Sequence, residues 1–165
     1  MRAWRPFRVI GLGNAYRCDD GVGLCVARSL RRRLPWADVI ETSGEATALV
    51  DLWADAERVM VIDATVSDAP AGTVRRLDLL AMDPIPVGFR SSSHTFGLAH
   101  AVALGRALRR LPCSLVAYGI EARDLSYGQS LSTPVVNASD QVCDLLCAEI
   151  LADRNPDNDR PTGQA

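Results

Sequence analysis

At 165 residues and 48% hydrophobic content, the chain is the size of one domain with a core of its own, needing neither disulfides nor a structural metal. Its formal net charge of −2 gives no reason to expect nucleic acid, and the arginine run at 31–33 reads as a solvated helix end. All 18 basic residues are arginine, which excludes Schiff-base lysines, Ser–Lys dyads and the Walker A lysine.

Along the chain, strand and helix patterns alternate. "FRVIGLG" (7–13) is a short apolar strand ending in glycine, and "DGVGLCVARSLRRRL" (20–34) carries apolar residues at helical spacing with arginines toward its end. "ADVIET" and "EATALVDLWADA" repeat the pair as a second strand and helix. "RVMVIDATV" (58–66) is nearly continuous and β-branched, as in a parallel strand buried on both faces. "GTVRRLDL" (72–79) alternates and reads as an edge or hairpin strand, and the proline-bearing "MDPIPVGFRSSS" (82–93) reads as a loop. "HTFGLAHAVALGRALRRL" (94–111) is an amphipathic helix and "SLVAYGIE" (114–121) a strand. "TPVVNASDQVCDLLCAEILA" (133–152) is a closing helix with Thr133 as cap and Pro134 at its start. The pattern predicts an α/β fold of three layers: a mostly parallel twisted sheet of about five strands with helices on both faces. Residues 1–152 form the single domain. "DRNPDNDRPTGQA" (153–165) has almost no apolar content and reads as a disordered tail.

In such a sheet, ligands bind beyond the C-terminal ends of the strands. Asp19 and Asp20 follow the first strand, Asp63 ends the buried run, His94 opens a helix and Glu121 ends the last strand, so all are expected along one edge. Glycines before a helix suggest phosphate binding, but the adjacent carboxylates in "GLGNAYRCDDGVG" (11–23) repel an anion and attract a cation or a polarised carbonyl carbon. A carboxylate directly after "VMVI" faces desolvation and needs a cation, a metal or several N–H donors to stay charged. His94 is the candidate imidazole, since His100 lies well away from it around the helix. Two carboxylates and an imidazole can hold a borderline metal such as zinc or nickel, or perform acid–base work without one, and the residues alone leave both open. HExxH and GxSxG are absent, and the adjacency of Ser92 and Ser93 to His94 disfavours a Ser–His–Asp triad.

Five cysteines without a CxxC pair fit a reducing compartment. Cys143 and Cys147, one helical turn apart, read as a buried helix face before they read as a soft-metal site. With no signal-peptide pattern in "MRAWRPFRVIGLG" and no run long enough to span a bilayer, a cytoplasmic location is expected.

Taken in order, "GLGNAYRCDDGVG", "VIDATVSDAPAGTV", "SSSHTFGLAHAVAL" and, more weakly, "AYGIEARDLSYGQSLSTPV" resemble the nickel-iron hydrogenase maturation endopeptidases over nearly the whole chain to about Ala152. The resemblance implies a phosphorylase/hydrolase-like α/β fold and an aspartyl endopeptidase activity. Its substrate would be the nickel-loaded precursor of a hydrogenase large subunit, from which it removes the C-terminal extension. By position, Asp20, Asp63 and His94 match the family's catalytic and metal-contacting residues, the nickel being carried by the precursor. No organic cofactor, nucleic acid or membrane is implied, and a monomer is expected. Gly11, Gly13 and Asn14 would shape the turn that lets Asp20 reach the site. The sequence departs from the family at "ETSGEAT", where Thr42 stands at an acidic position. That leaves open whether Glu41 or Glu45 substitutes, and Cys18 falls at a variable position.

Two other classes use the same residues differently. A Rossmann-like nucleotide or metabolite binder would use "GLGN", but Tyr16 occupies the place of the third glycine, and Glu41 alone on the second strand could hold a ribose. A nickel-delivery protein without proteolytic activity would share Asp20, Asp63 and His94.

Overall fold

The structure, a computed structural model, describes residues 7–83 and 97–154. Three apolar runs become its inner strands: β1 (Phe7–Leu12), β3 (Arg58–Thr65) and β5 (Ser114–Glu121), buried almost throughout. With β2 (Asp38–Thr42) and β4 (Val74–Asp78) they form one sheet in the order β2-β1-β3-β5-β4. All neighbours are parallel except β4, which runs antiparallel to β5. The expectation for "GTVRRLDL" holds as an edge strand. Its partner is β5 rather than the preceding β3, whose two edges are already taken by β1 and β5. Charged Arg75, Arg76 and Asp78 keep this outer edge from recruiting another strand.

The period-2 alternation of the inner strands feeds two separate apolar layers. Val9, Met60, Ile62, Tyr118 and Ile120 pack under α1 (Val22–Arg33) and α4 (Thr133–Asp153). Ile10, Val59, Val61, Leu115 and Ala117 pack under α2 (Ala46–Trp53) and α3 (Gly97–Leu108), where Trp53 is fully buried. Cys143 lies within the first layer with Cys147 packed against it, and burial pushes the Cys143 thiol up to about 11. A thiol held protonated in this way packs as a small apolar group, in line with the buried-face reading.

Helix α1 sits unusually close to the sheet. A Cβ added at Gly23 would lie 2.2 Å from the Leu12 carbonyl oxygen and 2.4 Å from that of Ile62. Only glycine permits that approach, and it brings the N-terminus of α1 over the ends of β1 and β3 together.

Two helix starts differ from the sequence expectation. The first helix begins at Val22 rather than Asp20, because Cys18–Gly21 form a separate 3₁₀ turn whose Cys18 has a left-handed φ of 44°. Ser132, not Thr133, is the N-cap of α4, with Pro134 in the first turn. Helix α4 continues to Asp153, while the expectation of a tail concerns residues that, from 155 on, lie outside the described ones. No helix among the described residues is long and apolar enough to cross a membrane.

Candidate active site

The C-terminal edge of the sheet collects the carboxylates, and the structure gives each a different occupation. Asp63 is 2% exposed near the end of β3. Alternation turns it to the same face as Val59 and Val61, the face covered by α2 and α3. One of its oxygens accepts the Ala64 N–H at 2.8 Å. Burial, and next the charge of Asp20, push its carboxyl up from 3.8 to about 8. Asp20, fully buried, is therefore Asp63's charged neighbour although 43 residues separate them in sequence.

The turn carrying Asp20 is built by the glycine-rich stretch. The Asn14 N–H donates to the Asp20 carbonyl at 3.3 Å and the Asp20 N–H to the Arg17 carbonyl at 3.0 Å. Asn14 Oδ1 accepts the Tyr16 N–H at 2.9 Å, closing a side-chain turn. At Gly13, with φ +146°, a Cβ would fall 2.0 Å from the Asp20 carbonyl oxygen. The turn thus closes only around glycine, as the expected role of Gly13 and Asn14 requires.

Asp19 does something else. Its carboxylate accepts the N–H groups of Arg123 and Asp124 at 2.8 Å each, the Ser132 N–H at 2.6 Å and the Ser132 hydroxyl at 2.8 Å. It fastens the segment between β5 and α4 to the 3₁₀ turn, with the Asp19 N–H reaching the Asp124 carbonyl at 2.9 Å as well. Of two adjacent aspartates, one is a brace and the other is the neighbour whose charge acts on Asp63.

Glu121 lies at the same edge and is also a brace. It accepts the Thr65 hydroxyl at 2.9 Å, the Ser67 hydroxyl at 3.0 Å and the Ser67 N–H, holding the start of the β3–β4 connection. Glu41 binds Arg28 and Arg31 through its two oxygens, and exposed Glu45 accepts the Thr47 hydroxyl. Neither glutamate is placed with Asp63 by any of these contacts. Among the described residues no group of three or more histidine, cysteine or acidic side chains is arranged to hold a metal ion. His94 lies outside the described residues.

Cys18, read from the sequence as variable and incidental, is buried beneath Gly128: a Cβ there would sit 2.8 Å from its sulfur. Its backbone N–H donates to the Gly128 carbonyl at 2.9 Å, and the Gly128 N–H to the Tyr16 carbonyl at 3.0 Å. Sequence reading missed this stitch between the Asp20 turn and the 122–132 segment, because the partners are about a hundred residues apart and no local pattern marks them.

An α/β sheet whose C-terminal edge sets a buried carboxyl, raised to about 8, beside a second buried aspartate on a glycine-built turn has the form of a reaction centre rather than a phosphate cradle. A sequence model described as hydrogenase maturation protease (HycI) matches residues 24–149, and the chain belongs to that family. It is accordingly an endopeptidase of hydrogenase maturation, which sets aside the nucleotide-binding alternative. Among its relatives, the hydrogenase expression/formation protein HupD of Bradyrhizobium diazoefficiens is 29% identical over 152 residues, covering 88% of this chain and 77% of the relative. The hydrogenase 2 maturation protease of Escherichia coli is 29% identical over 136 residues, covering 79% and 80%. Among solved structures, the [NiFe] hydrogenase maturation protease HybD of Thermococcus kodakarensis superposes with a TM-score of 0.69 at 27% identity, covering 88% of this chain and 98% of that one. The endopeptidase HybD of E. coli gives 0.75 at 21% identity, covering 90% and 93%, a likeness of fold.

Proposed function

We propose that this chain removes the C-terminal extension from the precursor of a nickel-iron hydrogenase large subunit after nickel has been inserted. In this reading Asp20, Asp63 and His94 meet at the sheet edge and contact the nickel that the precursor carries. The supporting observation is the electrostatics of Asp63: a buried carboxyl whose charged neighbour is another carboxylate, and which among the described residues accepts the Ala64 N–H. Such a group is poised for a cation brought from outside. When substrate-borne nickel arrives, Asp63 releases its proton and both carboxylates face positive charge. A carboxylate of the pair then takes a proton from the attacking water as the C–O bond forms. It returns that proton to the amide nitrogen as the C–N bond breaks.

The same reading makes the protein a monomer acting in the cytoplasm on a protein substrate, without an organic cofactor. It assigns the activity to one domain over residues 1–152, with 153–165 as a tail outside it. The test is to incubate the protein with nickel-loaded and nickel-free precursor and to weigh the products. Loss of the extension from the loaded form alone is expected. Equal cleavage of both forms would remove nickel from the recognition, and cleavage of neither would overturn the processing role.

A further inference from the structure

Beside the carboxylate pair the structure contains a second concave site that the hydrolytic chemistry does not use. It is a cleft of about 180 Å³ between the 3₁₀ turn, the face of α1 that carries positions 25, 28 and 32, and residues 129–131, lined by Cys18, Cys25, Arg28, Arg32, Gln129 and Leu131. Gly21 also borders it, so the cleft and Asp20 share one four-residue turn.

Its charge is one-sided. Two guanidinium groups line it and no carboxylate does. Arg28 pairs with Glu41 at 2.8 Å, but Glu41 is shared with Arg31 at 3.0 Å, so one negative charge answers two positive ones. Among the described residues, Arg32 has no ion pair and donates only to the Ser29 hydroxyl at 3.0 Å. Arg17 stands nearby with its guanidinium 5.2 Å from the centre of the Tyr127 ring, likewise without an ion pair among the described residues.

Two exposed tyrosines lie within two residues of its lining. Tyr16 is 66% and Tyr127 87% exposed, and they project from the two segments that the Cys18–Gly128 and Gly128–Tyr16 backbone bonds stitch together. Exposed tyrosines beside arginines, on backbone that needs no ordering, are the composition of a protein-docking surface. Size decides between ligand classes. Small-molecule pockets typically run about 300–1,000 Å³, so this cleft suits one side chain of an extended segment rather than a free cofactor.

Resting on the processing reading above, we propose that this cleft is a docking subsite for an acidic side chain of the precursor polypeptide, held by Arg28 and Arg32 and flanked by Tyr16 and Tyr127. Arginine presents a planar pair of donors to a carboxylate, which gives the contact direction as well as charge. The subsite would hold the precursor against the same turn that presents Asp20.

Two measurements test it, one of them independent of proteolysis. In the first, Arg32→Gln and Arg28→Gln/Arg32→Gln are compared with the wild type on nickel-loaded precursor, with urea midpoints recorded for all three. Among the described residues the single variant removes the Ser29 contact alone. The expected result is KM raised about tenfold in the double variant with kcat retained, the signature of lost substrate binding, together with a flattened salt dependence. Unchanged KM in both variants would overturn the subsite. In the second, Cys25 in the wild-type protein is alkylated with N-ethylmaleimide while exposed Cys113 serves as reference, each followed by peptide mass spectrometry. The acidic peptide acetyl-Leu-Glu-Tyr-Glu-Leu-amide should slow modification of Cys25 and not of Cys113, while its Gln counterpart and inorganic phosphate should not. Protection by phosphate alone would make the cleft a free-anion site, and equal protection by the Gln peptide, or none by either, would remove the carboxylate preference. If the wild type cleaves no precursor, the processing reading fails and the Cys25 result alone decides the subsite.

Discussion

Replacing Asp63 by asparagine should make the protein more stable in alkaline solution while abolishing its activity. Burial and the charge of Asp20 raise the Asp63 carboxyl from 3.8 to about 8, so between these values the folded state binds a proton that the unfolded chain has lost. Stability therefore falls as pH rises through this window: the contribution is whole below about pH 4 and lost by about pH 8. At about 1.4 kcal/mol per pH unit, the loss between pH 5 and pH 8 approaches 4 kcal/mol as a ceiling. Asparagine keeps an oxygen for the Ala64 N–H and carries no charge at any pH, so Asp63→Asn should lack this slope. The assay is urea unfolding of both proteins at pH 5, 6, 7 and 8, reading the difference between them so that other titrations cancel. The variant should gain on the wild type steadily toward pH 8. Asp20→Asn, which removes the second cause of the shift, should move the wild-type slope to lower pH. A difference between wild type and Asp63→Asn that stays constant from pH 5 to pH 8 would refute the electrostatic account of the site.

The two adjacent aspartates should separate cleanly by mutation. Asp19→Ala strips the acceptor from three backbone N–H groups and a hydroxyl and should lower stability by about 3–5 kcal/mol in urea unfolding, whereas Asp20→Asn should stay folded and lose cleavage. His94→Ala should abolish precursor cleavage with the thermal midpoint retained, and His100→Ala, as control, should cleave normally. If His94 only caps a helix, its loss should instead cost about 1 kcal/mol and leave cleavage measurable. Elemental analysis after mild chelation should find no stoichiometric metal on the isolated protein, because in the proposed reading the nickel belongs to the precursor. Zinc or nickel that survives chelation would point to a resident-metal protease.

The parts of the molecule governed by local pattern were legible in the sequence. β3 announced itself as an apolar run too continuous for a one-sided strand, β1 and β5 as shorter apolar strands, and the sheet they form is mostly parallel with helices on both faces. What escaped depended on contacts across the chain. Nothing local tells Asp19 from Asp20: their difference lies in Arg123, Asp124 and Ser132, more than a hundred residues away. Glu121 looked as exposed to chemistry as Asp63 at the same edge, but Thr65 and Ser67 occupy its oxygens. Ser132 rather than Thr133 stands at the cap position, with its N–H and hydroxyl both given to Asp19 instead of the helix, a constraint that helix-start preferences do not contain. The partner of β4 was undetermined for a similar reason, since an alternating strand says which face is apolar and not which neighbour it joins.

The strain in the Asp20–Asp63 pair bears on how such a protease would discriminate between substrates. A resident metal would relieve the repulsion permanently, and the site would then bind loaded and empty precursors alike. Left without one, the pair responds only to positive charge that arrives with the substrate, so the relief becomes a difference in affinity between the two precursors. Its ceiling is set by the share of the Asp63 shift that the charge of Asp20 causes, which is second to burial. Part of that is used to expel the proton that Asp63 still holds at neutral pH, so discrimination in the proposed reading should sharpen as pH rises toward 8. Neutralising Asp63 would give a sturdier fold with no means of sensing the metal. The charge of Asp20 thus enters both the pH dependence of the free site and, in the proposed reading, its preference for a substrate that carries a cation.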